Sequence, residues 1–142
     1  VRTATRHVRT RKDELRISEE AAEFCTASYR APELYTPPRG GTLDTRTDVW
    51  SAGCLLFAWW FGASPFECEF GAGDALRVVD CSYLRMLAPI PRPRERSLPE
   101  DQVLLEIVEW VLERDMTVRP FTSDLVERVK GALSGGEGSD NV

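Results

Sequence analysis

The chain has 142 residues, of which 42% are hydrophobic and 29% charged, with a formal net charge of -5. That is the size and balance of one soluble globular domain, and an acidic total gives no general case for nucleic acid as a partner. Four scattered cysteines and a single histidine, His7, with no C-x-x-C pair, argue against a bound metal, whose ligands must cluster, and fit a reducing, cytoplasmic setting.

Val1 is not an initiator methionine and no apolar signal-like run follows it, so the chain reads as cut from something longer. Residues 1–12 carry five basic residues and no acid, which predicts a solvated, mobile end, or else a stretch that meets phosphate or an acidic partner. Ser18, followed by Glu19 and Glu20, predicts a short helix to about Phe24, its hydroxyl capping and its acids at the positive end of the dipole. Cys25–Tyr35 reads CTASYRAPELY. Ala31 is pushed into extended geometry by the proline after it, and Pro32 suits the first turn of a helix. Pro37, Pro38, Gly40 and Gly41 mark a loop.

Thr45 and Asp48 have capping-box spacing ahead of VWSAGCLLFAWWF, Val49–Phe61. This run is apolar nearly all round, too short for the roughly 20 residues of a membrane span, and so reads as a buried central helix of about residues 46–61. No membrane contact is expected from this segment. Gly62 and Pro65 end it. Asp74–Val79 is expected to form a short helix, and residues 88–99, with four prolines, an extended connector. Ser97 and Glu100 repeat the capping spacing before a stripe of Leu104, Ile107, Val108 and Val111, an amphipathic helix. Thr122 or Ser123 caps a last helix carrying Leu125, Val126, Val129 and Leu133. The glycine-rich end, 134–142, predicts disorder. No strand is expected, and the fold class is mainly α.

Three stretches stand in order: TASYRAPE (Thr26–Glu33), DVWSAGC (Asp48–Cys54) and DMTVRP (Asp115–Pro120). Taken singly, Glu33 is a first-turn acid, Asp48 a helix cap, Trp50 core and Arg119 a surface charge. Taken together, they resemble the C-terminal lobe of a eukaryotic protein kinase: the Ala-Pro-Glu end of the activation segment, the central helix, and the arginine-bearing loop before the last helix. The detail from Cys25 to Phe66 is similar to the Numb-associated kinase family, in its branch of myristoylated and palmitoylated serine/threonine kinases.

The resemblance implies a partial kinase fold, a helical lobe around a buried central helix. Residues 1–24 would be a partly disordered activation-segment remnant, 25–133 the lobe, and 134–142 a disordered tail. It implies that Glu33 pairs with Arg119, that Asp48 accepts backbone N–H groups of the catalytic loop, that Trp50 packs beneath the Ala-Pro-Glu segment, and that Gly53 is structural. Thr26, Ser28 and Tyr29 would position the substrate, and Thr3, Thr5, Thr10 and Ser18 fall where activation segments are phosphorylated.

No glycine-rich phosphate loop, strand lysine, His-Arg-Asp or Asp-Phe-Gly stands in the sequence, and phosphoryl transfer needs all of these parts. The expectation is therefore part of a serine/threonine kinase, inactive alone, with no catalytic residue of its own. ATP and magnesium would be bound by the intact parent, protein would be its substrate, and the missing N-lobe and upstream C-lobe elements would be partners of this chain. The family branch implies membrane or Golgi association of the parent through a lipidated N-terminus. The alternative is a pseudokinase or scaffold without phosphotransfer. If about 500 Å² of the central helix is left uncovered, roughly 12 kcal/mol is forgone, comparable with the whole stability of a domain, about 5–15 kcal/mol. The isolated piece is expected to be aggregation-prone or partly molten.

Overall fold

The computed structural model describes residues 5–96 and 98–139. Among the described residues six helices dominate: α1 (Arg11–Phe24), α2 (Pro32–Tyr35), α3 (Arg46–Phe61), α4 (Tyr83–Leu87), α5 (Pro99–Val111) and α6 (Thr122–Ser139). Two antiparallel pairs accompany them, β1 (Arg6–His7) with β2 (Thr42–Leu43) and β3 (Cys68–Phe70) with β4 (Leu76–Val78).

α3 is the hub. Its Val49, Trp50, Cys54 and Phe57 are at most 1% exposed and meet Leu105, Val108 and Val111 of α5 in the main core. The two helices touch closely because Gly53 presents no side chain: a Cβ there would stand 2.5 Å from Val111 Cγ2. Gly62 ends α3 at φ +111°, a backbone conformation that favours glycine. Cys54 is fully buried, and the apolar surroundings push its thiol up to about 12. A second, smaller cluster joins Val8, Ile17, Leu43 and Met116 with Leu34 of α2, and seats α1 beside β1, β2 and α2.

Several expectations need correcting. α1 starts at Arg11, not near Ser18. Thr10 and Asp13 form a reciprocal capping box, leaving Ser18 inside the helix. The basic stretch is not free: β1 pairs with β2, Val8 is fully buried, and Arg6 Nη1 lies 2.8 Å from Glu20. The fold is mainly α as expected, but short strands exist where none was expected, and Asp74–Val79 contains strand β4 rather than a helix. Phe70 faces Leu76 and Cys68 faces Val78 across a tight Gly71–Asp74 turn, so cross-strand pairing and the turn decide the segment.

Thr45 makes no side-chain cap. The carboxylate of Asp44 accepts the Arg46 N–H instead, at 2.9 Å. α5 begins on Pro99 with Leu98 as its cap, and Ser97 lies outside the described residues. At α6, Asp124 accepts the Phe121 N–H at 2.9 Å, so Thr122 is already the first helical residue. The α6 backbone then stays helical through Ser139, where glycine-rich composition predicts disorder. No helix among the described residues is long and apolar enough to cross a membrane.

A strap clamped to the central helix

Residues Ala27–Tyr29 make one 3-10 turn, and Ala31, extended at ψ 150°, leads into α2 with Pro32 at its first position. This strap lies on α3 and is held from beneath by two hydroxyls. Ser51 Oγ donates to the Tyr29 carbonyl at 2.9 Å and Ser64 Oγ to the Ser28 carbonyl at 2.6 Å.

The end of the strap is locked by Glu33. Arg119 Nη1 and Nη2 reach its two carboxylate oxygens at 2.5 and 3.0 Å, a bidentate pair across 86 residues of sequence. The rest of the guanidinium is used as well: Nε donates to the Glu113 carbonyl and Nη1 also to the Arg46 carbonyl, both at 2.9 Å. Thr47 Oγ1 adds a third donor to Glu33 at 3.0 Å. The Arg119 side chain has no exposed area, and its guanidinium lies 5.2 Å from the Trp50 ring, which stacks on Phe66. Burial without loss of hydrogen bonds makes this a clamp rather than a surface pair.

The other anticipated residues are placed as follows. Thr26 is exposed at the start of the turn, and its hydroxyl makes no cap. Ser28 is 3% exposed, and neither its Oγ nor Trp50 Nε1 has a partner among the described residues. Tyr29 is half-buried, which pushes its phenol up. Asp48 sits half-buried in the first turn of α3. Burial raises its carboxyl, with no hydrogen bond among the described residues to offset it. Thr10 and Ser18 lie on α1 or at its cap, Thr5 is exposed ahead of β1, and Thr3 falls outside the described residues. Among the described residues no three His, Cys, Asp or Glu side chains gather as a metal site would need.

Residues matching the protein kinase domain run from 9 to 129. The chain belongs to the protein kinase family. Its relatives are kinases by name. It is 44% identical over 114 residues to human serine/threonine-protein kinase 16, covering 80% of this chain and 33% of that protein. To serine/threonine-protein kinase ppk13 of Schizosaccharomyces pombe it is 37% identical over 113 residues, covering 80% and 31%. A probable serine/threonine-protein kinase of Dictyostelium discoideum is 31% identical over 135 residues, covering 91% and 34%. The chain thus spans about a third of the length of the curated kinases it matches.

Sequence reasoning overlooked Asp101. It is 1% exposed and accepts from Trp60 Nε1 at 2.8 Å and from Arg96 Nε and Nη2 at 2.7 Å each. Its place in a first turn after proline resembles an ordinary dipole acid, and only the fold shows that it ties α5 to α3 and to the connector. The Arg96 guanidinium holds its carboxyl below the ordinary 3.8, against the opposing effect of burial and with help from the Trp60 N–H. A depressed folded value means stabilisation that is complete above the unfolded value and lost as pH falls through the folded one. Asp101→Asn is therefore expected to cost about 1–2 kcal/mol at neutral pH, since half of Arg96 faces water. In urea titrations the gap between variant and wild type should close as pH falls below the ordinary carboxylate value of 3.8.

Proposed function

We propose that this chain is the distal part of the C-terminal lobe of a serine/threonine protein kinase, in the branch of myristoylated and palmitoylated Numb-associated kinases. The observation that carries the proposal is the Glu33–Arg119 clamp, because it holds the 26–33 strap where a protein substrate would lie. In this reading Thr26 reaches the catalytic aspartate and lysine, and Ser28 and Tyr29 shape the seat of the residue after the phosphoacceptor. Asp48, a half-buried carboxylate without a donor among the described residues, accepts N–H groups of the catalytic loop.

In the parent, ATP and magnesium would supply and activate the transferred phosphoryl group. The described residues do not fit either group, since no acidic cluster among them would hold a cation and the glycines after β3 close a tight Gly71–Asp74 hairpin turn rather than a phosphate-cradling loop. α3 also presents Ala52, Leu55 and Trp59 on one side, the last two 62% and 76% exposed. That face suits the upstream part of the lobe.

Phosphate incorporation by the full-length parent tests the reading. It is expected to transfer phosphate from ATP to protein serine or threonine and not to tyrosine, and Thr26→Ala should lower kcat/KM at least about tenfold. A parent that binds protein but transfers no phosphate would be a scaffold, contrary to the proposal.

A further inference from the structure

A groove of about 410 Å³ runs between α1 and the end of α2, within the range of ligand sites, about 300–1,000 Å³. Its apolar wall is Leu15, 47% exposed, with Tyr35 and Pro37. The Tyr35 ring is fixed rather than loose: Tyr83 meets it edge-on at 5.8 Å, and the Arg30 guanidinium lies 4.9 Å from its centroid. At the other end Arg11 and Arg39 converge on a single carboxylate, Glu14. Arg39 Nε and Nη2 stand 2.9 and 3.1 Å from its oxygens, and Arg11 Nη1 3.2 Å away. Two guanidiniums on one carboxylate leave a positive charge in excess. Their side chains remain 72% and 59% exposed, with donors to spare. Lys12 and Arg16 are exposed nearby and make no ion pair among the described residues.

The groove is continuous with the strap, because Tyr35 Oη donates to the Ala27 carbonyl at 2.9 Å. We propose that it holds an acidic stretch of the protein substrate, a few residues after the phosphoacceptor. A substrate carboxylate would sit on Arg11 and Arg39, and an apolar side chain against Leu15 and Tyr35. The proposal rests on the reading of residues 26–29 as the substrate seat. A concave apolar wall beside the charges favours a peptide over a flat anionic membrane.

Fluorescence anisotropy on the full-length parent is the test, since it needs no turnover. The probes are fluorescein-labelled 12-residue peptides carrying one serine followed by Glu-Glu-Leu, or by Gln-Gln-Leu. The acidic peptide should bind about tenfold tighter at low salt, with the gap narrowing as salt rises. Arg11→Glu with Arg39→Glu should erase the difference. Glu14→Gln removes the internal competitor and should widen it several-fold, whereas a merely structural Glu14 would leave it unchanged or reduce it.

Equal binding of the two peptides, or a gap left unchanged or narrowed in Glu14→Gln, would overturn the proposal. So would binding to phosphatidylserine vesicles without peptide discrimination. Discrimination in a parent that transfers no phosphate would sustain the groove and refute the kinase reading. Active phosphotransfer without discrimination would do the reverse.

Discussion

Arg119→Ala is expected to cost the protein about 3–5 kcal/mol, because Glu33 would be left charged, buried and without its bidentate partner. Glu33 is 7% exposed, so water cannot easily replace the guanidinium. The carbonyls of Glu113 and Arg46 lose their donor in the same step, each a further desolvated acceptor. Arg119→Lys should recover only part of the loss. A single ammonium cannot span two carboxylate oxygens and two carbonyls in the fork geometry. Denaturant titration of wild type and both variants checks the order. In the full-length parent the loss should show again as weakened peptide binding, because the strap is no longer fixed at its C-terminal end.

Gly53→Val is the second large effect. Even an alanine Cβ would lie 2.5 Å from Val111 Cγ2 and 3.0 Å from Leu112 Cδ2, so α3 and α5 must part. Overpacking of this kind costs about 1–3 kcal/mol and at times more. For Gly53→Ala the gain in helix propensity, about 1 kcal/mol, offsets some of that, and the net loss should be small. Valine adds two methyl groups at the same point and should cost several kcal/mol, at the upper end of the overpacking range or beyond. Val111→Ala in the Gly53→Ala background should be milder than the sum of the single changes, because it removes the methyl that is struck. Thermal melts of the four proteins measure this coupling directly.

The parts of the fold legible in sequence are those whose signal is local and continuous. α3 announces itself by an uninterrupted apolar run and α5 by its stripe, and both stand where periodicity places them. Glu33 and Arg119 were legible only because each sits in a recognisable short motif; nothing in the 85 residues between them encodes the meeting. The rest was hidden for physical reasons. α1 buries only Ile17 and Ala21, too few to give a periodic stripe, so its true start at the Thr10 cap passed for a solvated basic tail. The β3–β4 pair is three residues a side and depends on pairing partners and on its turn.

That turn is itself held from a distance. The carboxylate of Asp74 accepts the backbone N–H groups of Arg94, Glu95 and Arg96, twenty or more residues away. Asp101 was invisible for the same reason, since its value lies in the Trp60 and Arg96 donors that the fold brings to it.

A double-mutant cycle between Glu33 and Arg119, using Glu33→Gln and Arg119→Met and read by denaturant titration, tests the clamp most directly. A coupling of about 2–3 kcal/mol is expected, because either change alone leaves the other group buried without its partner. Losses that add to within about 0.5 kcal/mol would mean that the two side chains act independently, and that the strap is held to the hub by something else.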